Sequence, residues 1–187
     1  MEHVQGLQGR LIRLVPIELE RHLNNYYRWL NDPEVSEHLL VEFPIPMAVE
    51  RDWVDKMVRN PNDVVFAIET LGGRHLGTSA IHDINWRHGF ATTGSFIGEA
   101  EERGKGYGTE AAILRARYAF HVLGLRQLHS SFLEGNTQSK RMQEKLGAVE
   151  VGCVPAKFYK RGQFRGETLT LLTRERFEEL HGPGLGQ

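Results

Sequence analysis

A single mixed α/β (α+β) domain is the fold class the sequence predicts, and three observations predict it. The middle of the chain reads as three consecutive antiparallel strands, and the second half alternates in a β-α-β-α-β order. Between them lies Arg103-Gly104-Lys105-Gly106-Tyr107-Gly108, with glycine at every second position. At 187 residues the chain suffices for one well-buried domain, 1–187, and is short for two.

Residues 10–17 read as a first strand that Pro16 helps to end. Leu19, Leu23, Tyr26, Tyr27 and Leu30 then recur at helical spacing until Asn31-Asp32-Pro33 breaks the run. Val41 to Pro46 reads as an irregular loop. A second amphipathic helix is expected over Val49 to Val58, with Trp53, Val54, Met57 and Val58 on its apolar side. The meander follows: Val64 to Thr70, a turn at Leu71 to Arg74, His75 to Ile84, a turn at Asn85 to Gly89, and Phe90 to Ile97.

After the glycine loop a helix is expected over Thr109 to Leu123, closed by Gly124 as a left-handed cap. Leu128 to Phe132 reads as a strand, and Asn136 to Leu146 as a helix ended by Gly147. Ala148 to Val154 and Glu167 to Leu172 read as the last strands, with Lys157 to Phe164 as their connection. The first crossover should pair its strands in parallel. The tail 181–187 is expected to be flexible.

Lysine plus arginine (23) nearly balance aspartate plus glutamate (24), so no global charge draws the chain to nucleic acid or to an anionic membrane. Lys157 to Arg161 mixes cations with Phe158 and Tyr159, but short runs of that kind are usually solvated surface. The single cysteine, Cys153, excludes an intramolecular disulfide and reads as a small core filler. The first six residues lack the charged and apolar regions of a leader, and no apolar run approaches the ~18 residues that span a bilayer. A cytoplasmic location is therefore expected. Nine histidines are present, yet no H-E-x-x-H or cysteine-histidine set occurs, so no metal site is expected.

Glycines let the loop backbone adopt φ > 0 and let ligand oxygens approach main-chain N–H groups. The following helix adds unpaired first-turn donors and its dipole, which together suit a pyrophosphate. Arg103 and Lys105 supply matching charge. The competing motifs fail, since Thr109 stands where a dinucleotide fingerprint needs its third glycine, and no Walker A pattern is present. A plain structural turn is the bland alternative.

Asn136 opens the second crossover helix as a favoured cap. Ser139 and Gln143 share its helical face, which either lines a ligand or faces water. His82 and Asp83 lie near the end of the second meander strand, where a half-exposed structural histidine is the simpler reading.

Taken together, Gly94-Ser95-Phe96-Ile97-Gly98 through Arg103-Gly104-Lys105-Gly106-Tyr107-Gly108-Thr109-Glu110-Ala111 resembles the cofactor segment of the GNAT superfamily of acyl-CoA-dependent N-acetyltransferases. Asn136-x-x-Ser139 followed by Lys145-Leu146-Gly147-Ala148 resembles its second segment. The likeness runs from Leu11 to about Leu172. Asn31-Asp32-Pro33-Glu34-Val35 and the Tyr159 to Phe164 turn resemble the branch of ribosomal-protein N-terminal acetyltransferases.

The resemblance implies a splayed mixed sheet of about seven strands with helices on both faces, and acetyl-CoA as co-substrate wedged between its fourth and fifth strands. It implies that Lys105 to Gly108, with Arg103, Gly104 and Thr109, hold the pyrophosphate. The edge around Phe96, Ile97 and Gly98 would pair with pantetheine, helped by Asn136, and a main-chain N–H there would meet the oxyanion. Many relatives place a tyrosine donor where this chain has Gln143, and the branch gives Ser139 the role of donor or thiolate partner. The glutamate of many relatives is matched by Thr92, and another acid by Phe158, so Asp83, His82 and Glu134 remain as base candidates. An α-amine, with pKa ~8, needs no dedicated base, which favours it over a lysine side chain.

The expected function is acetyl transfer to a primary amine by direct attack in a ternary complex. A peptide or protein N-terminus is the favoured acceptor, with a polyamine, amino sugar or other small amine as alternatives. Cys153, in mid-strand, makes a poor acyl carrier. Homodimers are common in the family. The competing readings are a module that binds acyl-CoA without turnover, and a phosphate-binding domain unrelated to CoA.

Overall fold

The computed structural model describes residues 7–41 and 44–184. Its elements are β1 (Leu7–Gln8), β2 (Ile12–Pro16), α1 (Leu19–Leu30), α2 (Pro33–Ser36), α3 (Met47–Arg59), β3 (Val64–Thr70), β4 (His75–Asn85) and β5 (Phe90–Ile97). After a 3-10 turn at Ala100–Glu102 come α4 (Tyr107–His121), β6 (Gln127–Leu133), α5 (Thr137–Leu146), β7 (Val149–Lys160), β8 (Gln163–Thr173) and α6 (Arg174–His181). One sheet runs β1-β2-β3-β4-β5-β6-β8-β7. Among the described residues only β5 and β6 pair in parallel, as the crossover through α4 requires.

That parallel pair is short. It spans Phe90↔Gln127, Ala91↔Leu128 and Thr92↔His129. β5 nevertheless runs on against β4 to Ile97↔Gly77, and β6 runs on against β8 to Leu133↔Glu167. The two halves of the sheet therefore part beyond Thr92 and leave a wedge-shaped cleft. At its apex the Ser130 hydroxyl donates to the Thr93 carbonyl at 2.7 Å and shares a 2.8 Å bond with the Thr93 hydroxyl. A side chain thus satisfies the backbone just where the ladder stops.

Helix α4 seals one face of the sheet with Ala112, Ala116, Ala119 and Phe120, packed on Ile81, Ala91, Leu128 and Leu172. On the other face α1 and α3 bring together Leu23, Tyr26, Trp29 and Val54, with Phe96 of β5 beneath them. Beside this second core lies a buried polar cluster. His22 bonds Glu69 at 3.1 Å, and His75 donates Nε2–H to the Gly77 carbonyl at 3.0 Å.

Burial, reinforced by nearby His22, pushes the His75 pKa down to about 3, and burial also lowers His22. The unfolded chain then takes up protons that the folded one refuses. Stability is full above pH ~6.5 and falls toward pH 3 by ~1.4 kcal/mol per pH unit for each such proton. Urea midpoints measured from pH 7.5 to 4.5 should fall steadily, and His75→Gln should remove one proton's share of that slope. An unchanged slope in the variant would exclude His75 as its source.

The structure departs from the sequence reading in identifiable places. Lys157 to Phe164 is not a loose connection. β7 runs to Lys160, Arg161 and Gly162 take φ of 49° and 81°, and β8 begins at Gln163. Two positive φ values in a two-residue loop give the turn whose twist matches a hairpin. Cys153 is exposed on the edge strand β7, so it is not core filler. The structure adds the short β1, α2 and α6, and its sheet has eight strands against an expectation of about seven. Asp32, read as part of a break, caps α2 by accepting from Glu34 N–H at 2.8 Å. The expected leaderless start (1–6), Glu42 and Phe43 of the 41–46 loop, and residues 185–187 of the tail lie outside the described residues. Among the described residues no helix is long and apolar enough to cross a membrane.

Candidate active site

The glycine loop closes the wide end of the cleft. Gly104 and Gly106 have φ of +78° and +92°, which L side chains rarely adopt, and Gly106 is the residue that enters α4. The first helical bond, Glu110 N–H to the Gly106 carbonyl, spans 3.0 Å. Among the described residues no protein acceptor lies on the N–H groups of Gly104, Lys105 or Gly106. Those of Tyr107, Gly108 and Thr109 are the unpaired donors of a first helical turn. Successive main-chain donors at a fifteen-residue helix's positive end form a seat for an anion.

The flanking cations have protein partners. Arg103 Nε donates to the Ile97 carbonyl at 3.2 Å, bracing the loop against the end of β5. Lys105 Nζ sits 2.8 Å from Glu102, which raises the lysine pKa. Glu110, in the first turn, turns away from the seat and accepts N–H bonds from Arg10, Leu11 and Ile12 at 2.8–2.9 Å. Gly9 is close-fitting there, since a Cβ would lie 2.6 Å from the Glu110 carboxyl carbon.

Between the loop and the apex, β5 has no strand partner on the side of β6 from Thr93 to Ile97. Phe96 faces α1, its ring 6.2 Å from that of Trp29. Gly98 spends its N–H on the Leu76 carbonyl at 2.8 Å. Beneath this arm Arg115 of α4 is 1% exposed and donates to the Ser79 hydroxyl at 3.1 Å and the Gly94 carbonyl at 2.9 Å. Burial pulls its pKa down to about 10, so the guanidinium stays charged while it fixes the arm.

On the β6 side, the Asn136 oxygen accepts from Ser139 N–H at 3.0 Å as the cap of α5, which leaves its amide NH2 free to donate. Ser139 is half-buried in the first turn and Gln143 is buried one turn further on. Glu134, at the end of β6, accepts from Gly166 N–H at 3.2 Å. The structure thus gathers the loop, Phe96, Ile97, Asn136, Ser139 and Glu134 around one cleft.

His82 and Asp83 lie away from the glycine loop, at the other end of the cleft. His82 pairs with Thr92 at the narrow end, five residues from Ile97, and its Nδ1 is 3.4 Å from Asp63. Asp83, at φ 51°, donates its N–H to Asp63 at 2.9 Å, in the irregular stretch before the hairpin turn. Among the described residues no group of three metal-binding side chains occurs.

Two further residues border the cleft that sequence reasoning passed over or left as surface. Glu167 of β8 is 7% exposed and accepts from the Ser131 hydroxyl at 2.7 Å and from the Lys157 ammonium. Those partners hold its carboxyl below the usual range despite burial. No local motif marks the pair, because it is assembled by the β6-β8-β7 register.

The rim over the cleft is a clamp. Arg161, in the hairpin turn, binds Glu37 and the Pro33 carbonyl, and Arg165 reaches Glu37 at 3.3 Å. Lys160 donates to the carbonyls of Leu39 and, at 2.9 Å, Val41.

Comparison with known proteins gives a consistent result. A family model described as an acetyltransferase (GNAT) domain matches residues 11–149. A SPbeta prophage-derived uncharacterized N-acetyltransferase, YokL, of Bacillus subtilis is 26% identical over 81% of this chain and 85% of its own. Spermidine N-acetyltransferase from Vibrio cholerae, solved with CoA and spermine, superposes with a TM-score of 0.82 at 18% identity, covering 89% of this chain and 97% of that one. A GCN5-related N-acetyltransferase from Brucella melitensis gives 0.76 at 23% identity, covering 96% and 83%.

Proposed function

The chain belongs to the GNAT acetyltransferase family and is an acetyl-CoA-dependent N-acetyltransferase, and from that premise we propose that its acceptor is the α-amine of a peptide or protein N-terminus. The observation that carries this reading is the state of the acids around the cleft. Thr92 stands where a carboxylate base would be expected, Glu134 is bonded to Gly166 N–H, and Glu167, its carboxyl held below the usual range by Lys157 and Ser131 despite burial, is a weak base. An amine of pKa ~8 is partly neutral at pH 7.5, whereas a lysine amine at ~10.4 is almost wholly protonated, so only the former manages without a base.

The two segments that resemble the ribosomal-protein branch, 31–35 and 159–164, meet in the rim through Arg161 and the Pro33 carbonyl. That supports placement in the branch.

In this reading the main-chain donors from Gly104 to Thr109 hold the diphosphate of acetyl-CoA, the open edge of β5 pairs with its pantetheine, and the Asn136 NH2 donates to the same arm. The neutral amine attacks the thioester carbon, a C–N bond forms, and the C–S bond breaks. The thiolate receives a hydrogen bond from Ser139, and the proton shed by the amine passes to solvent.

Thiol release should be followed with free tripeptides, the same tripeptides blocked at the N-terminus but carrying lysine, and spermidine. Free tripeptides are expected to be the substrates, with kcat/KM rising through pH 8. Ser139→Ala should lower kcat roughly 10- to 100-fold, below the ~10²–10⁴-fold of a full proton transfer because Ser139 supplies only a hydrogen bond, with the KM for acetyl-CoA within about twofold. Turnover of spermidine or the blocked peptides in preference to free N-termini would overturn the acceptor assignment.

A further inference from the structure

The geometry points to Glu167 and Lys157 as the two halves of an acceptor-amine subsite, in which Glu167 seats the incoming ammonium and Lys157 drives off its proton by repulsion. The inference rests on the α-amine reading above and deepens it.

Register fixes the place. Leu128 and Leu172 oppose each other and both enter the core under α4. Along the unbroken β6–β8 ladder, alternation then puts Ser131, Leu133, Leu169 and Glu167 on the opposite face. That is the face α1 and α3 cover over β4 and β5, as the Trp29–Phe96 contact shows. Ser131 and Glu167 also lie beyond His129, the last β6 residue paired with β5. The carboxylate therefore sits on the parted arm of the sheet, on the side away from α4.

Lys157 reaches it because the hairpin is irregular there. Between Val154↔Glu167 and Phe158↔Arg165 the register shifts, and Ala156 takes φ 49°. A bulge of this kind re-aims a side chain and is a frequent device beside active sites. Lys157 is half-exposed at the cleft while its partner is buried.

The chemistry follows from the two charges. A carboxylate has about four acceptor positions, and the Ser131 hydroxyl and the Lys157 ammonium occupy two of them. The remaining two are the positions an arriving ammonium would use. A carboxylate alone would hold that ammonium protonated and unreactive. A neighbouring lysine has the contrary effect, because two cations at close range disfavour each other's charge. The same repulsion activates amine nucleophiles placed beside another cation. The pair thus attracts the amine without trapping its proton, which suits a cleft whose other acids are engaged.

Kinetics of Glu167→Gln, Lys157→Met and Lys157→Arg, with acceptor and pH varied, test this. Glu167→Gln should raise the KM for the acceptor about tenfold, with the KM for acetyl-CoA unchanged. Lys157→Met should move the acidic limb of kcat up by about one pH unit, lowering kcat about tenfold at pH 7.5. Lys157→Arg, which keeps the charge, should leave the limb in place. A purely structural ion pair would instead lower the melting temperature of the first two variants alike and leave acceptor KM and limb unmoved, which overturns the inference. Wild-type preference for another amine would refute the α-amine reading separately, and the variants are then compared on that amine. Wild-type turnover of no amine overturns both.

Discussion

Calorimetric titration of Gly106→Val with CoA is expected to give a dissociation constant about a hundredfold weaker than that of the parent. At φ +92° this residue holds a conformation that costs an L residue roughly 1–2 kcal/mol, and a β-branched one more. Valine would leave that region and turn the donors of Lys105, Gly106 and Tyr107 away from a common point. Hydrogen bonds to a charged group contribute about 1.5–3 kcal/mol each, so losing one or two accounts for a factor of 100, which is ~2.7 kcal/mol. A Cβ itself meets no obstacle, since the nearest atom to it is Leu11 Cδ1 at 3.6 Å. Gly106→Asn is the control, because asparagine tolerates a left-handed backbone, and its affinity should stay within about threefold. Equal affinity of the valine variant and the parent would show that backbone donors do not grip the diphosphate.

The second large effect falls on stability. Gly98→Ala should lower the melting temperature by roughly 6–12 °C, corresponding to about 3 kcal/mol for a chain of this size. A Cβ at Gly98 would lie 2.0 Å from Trp29 Cδ2 and 2.4 Å from Cγ. The indole cannot retreat, since it is 1% exposed and its N–H is tied to Glu99 at 3.1 Å. Trp29→Leu combined with Gly98→Ala should cost less than the sum of the two single changes, because the smaller side chain relieves the clash. A melting temperature within 2 °C of the parent for Gly98→Ala would mean that α1 does not press on this segment.

These two glycines show what the sequence discloses and what it hides. Gly106 is legible because its reason is local: glycines alternate at the start of a helix, and a left-handed entry explains them. Gly98 carries no such mark. Its reason is a tryptophan 69 positions earlier, brought close only when α1 lies on the sheet.

The same division runs through the rest of the site. Asn136 announces itself as a cap, and the structure places it as one. Glu167, Lys157 and Ser131 meet only through strand register, and a pattern of alternating residues does not say which strands will be neighbours. The hairpin of β7 and β8 is hard to read from the sequence for a third reason. Its turn is Arg161-Gly162, where the strong signal would be asparagine or aspartate before glycine, and Arg161 adopts φ 49° while gripping Glu37. Cys153 misled because burial is the habit of free cysteine, whereas a sheet's last strand has no neighbour to hide it.

The hairpin held by Glu110 has one more consequence. A carboxylate in the opening turn of α4 would repel any diphosphate bound there, yet three amides from residues 10–12 draw it aside. Order in β1 and β2 and occupancy of the proposed phosphate seat are thereby linked. Whatever loosens the first must weaken the second, and thermodynamic reciprocity makes a diphosphate bound there tighten the hairpin in return.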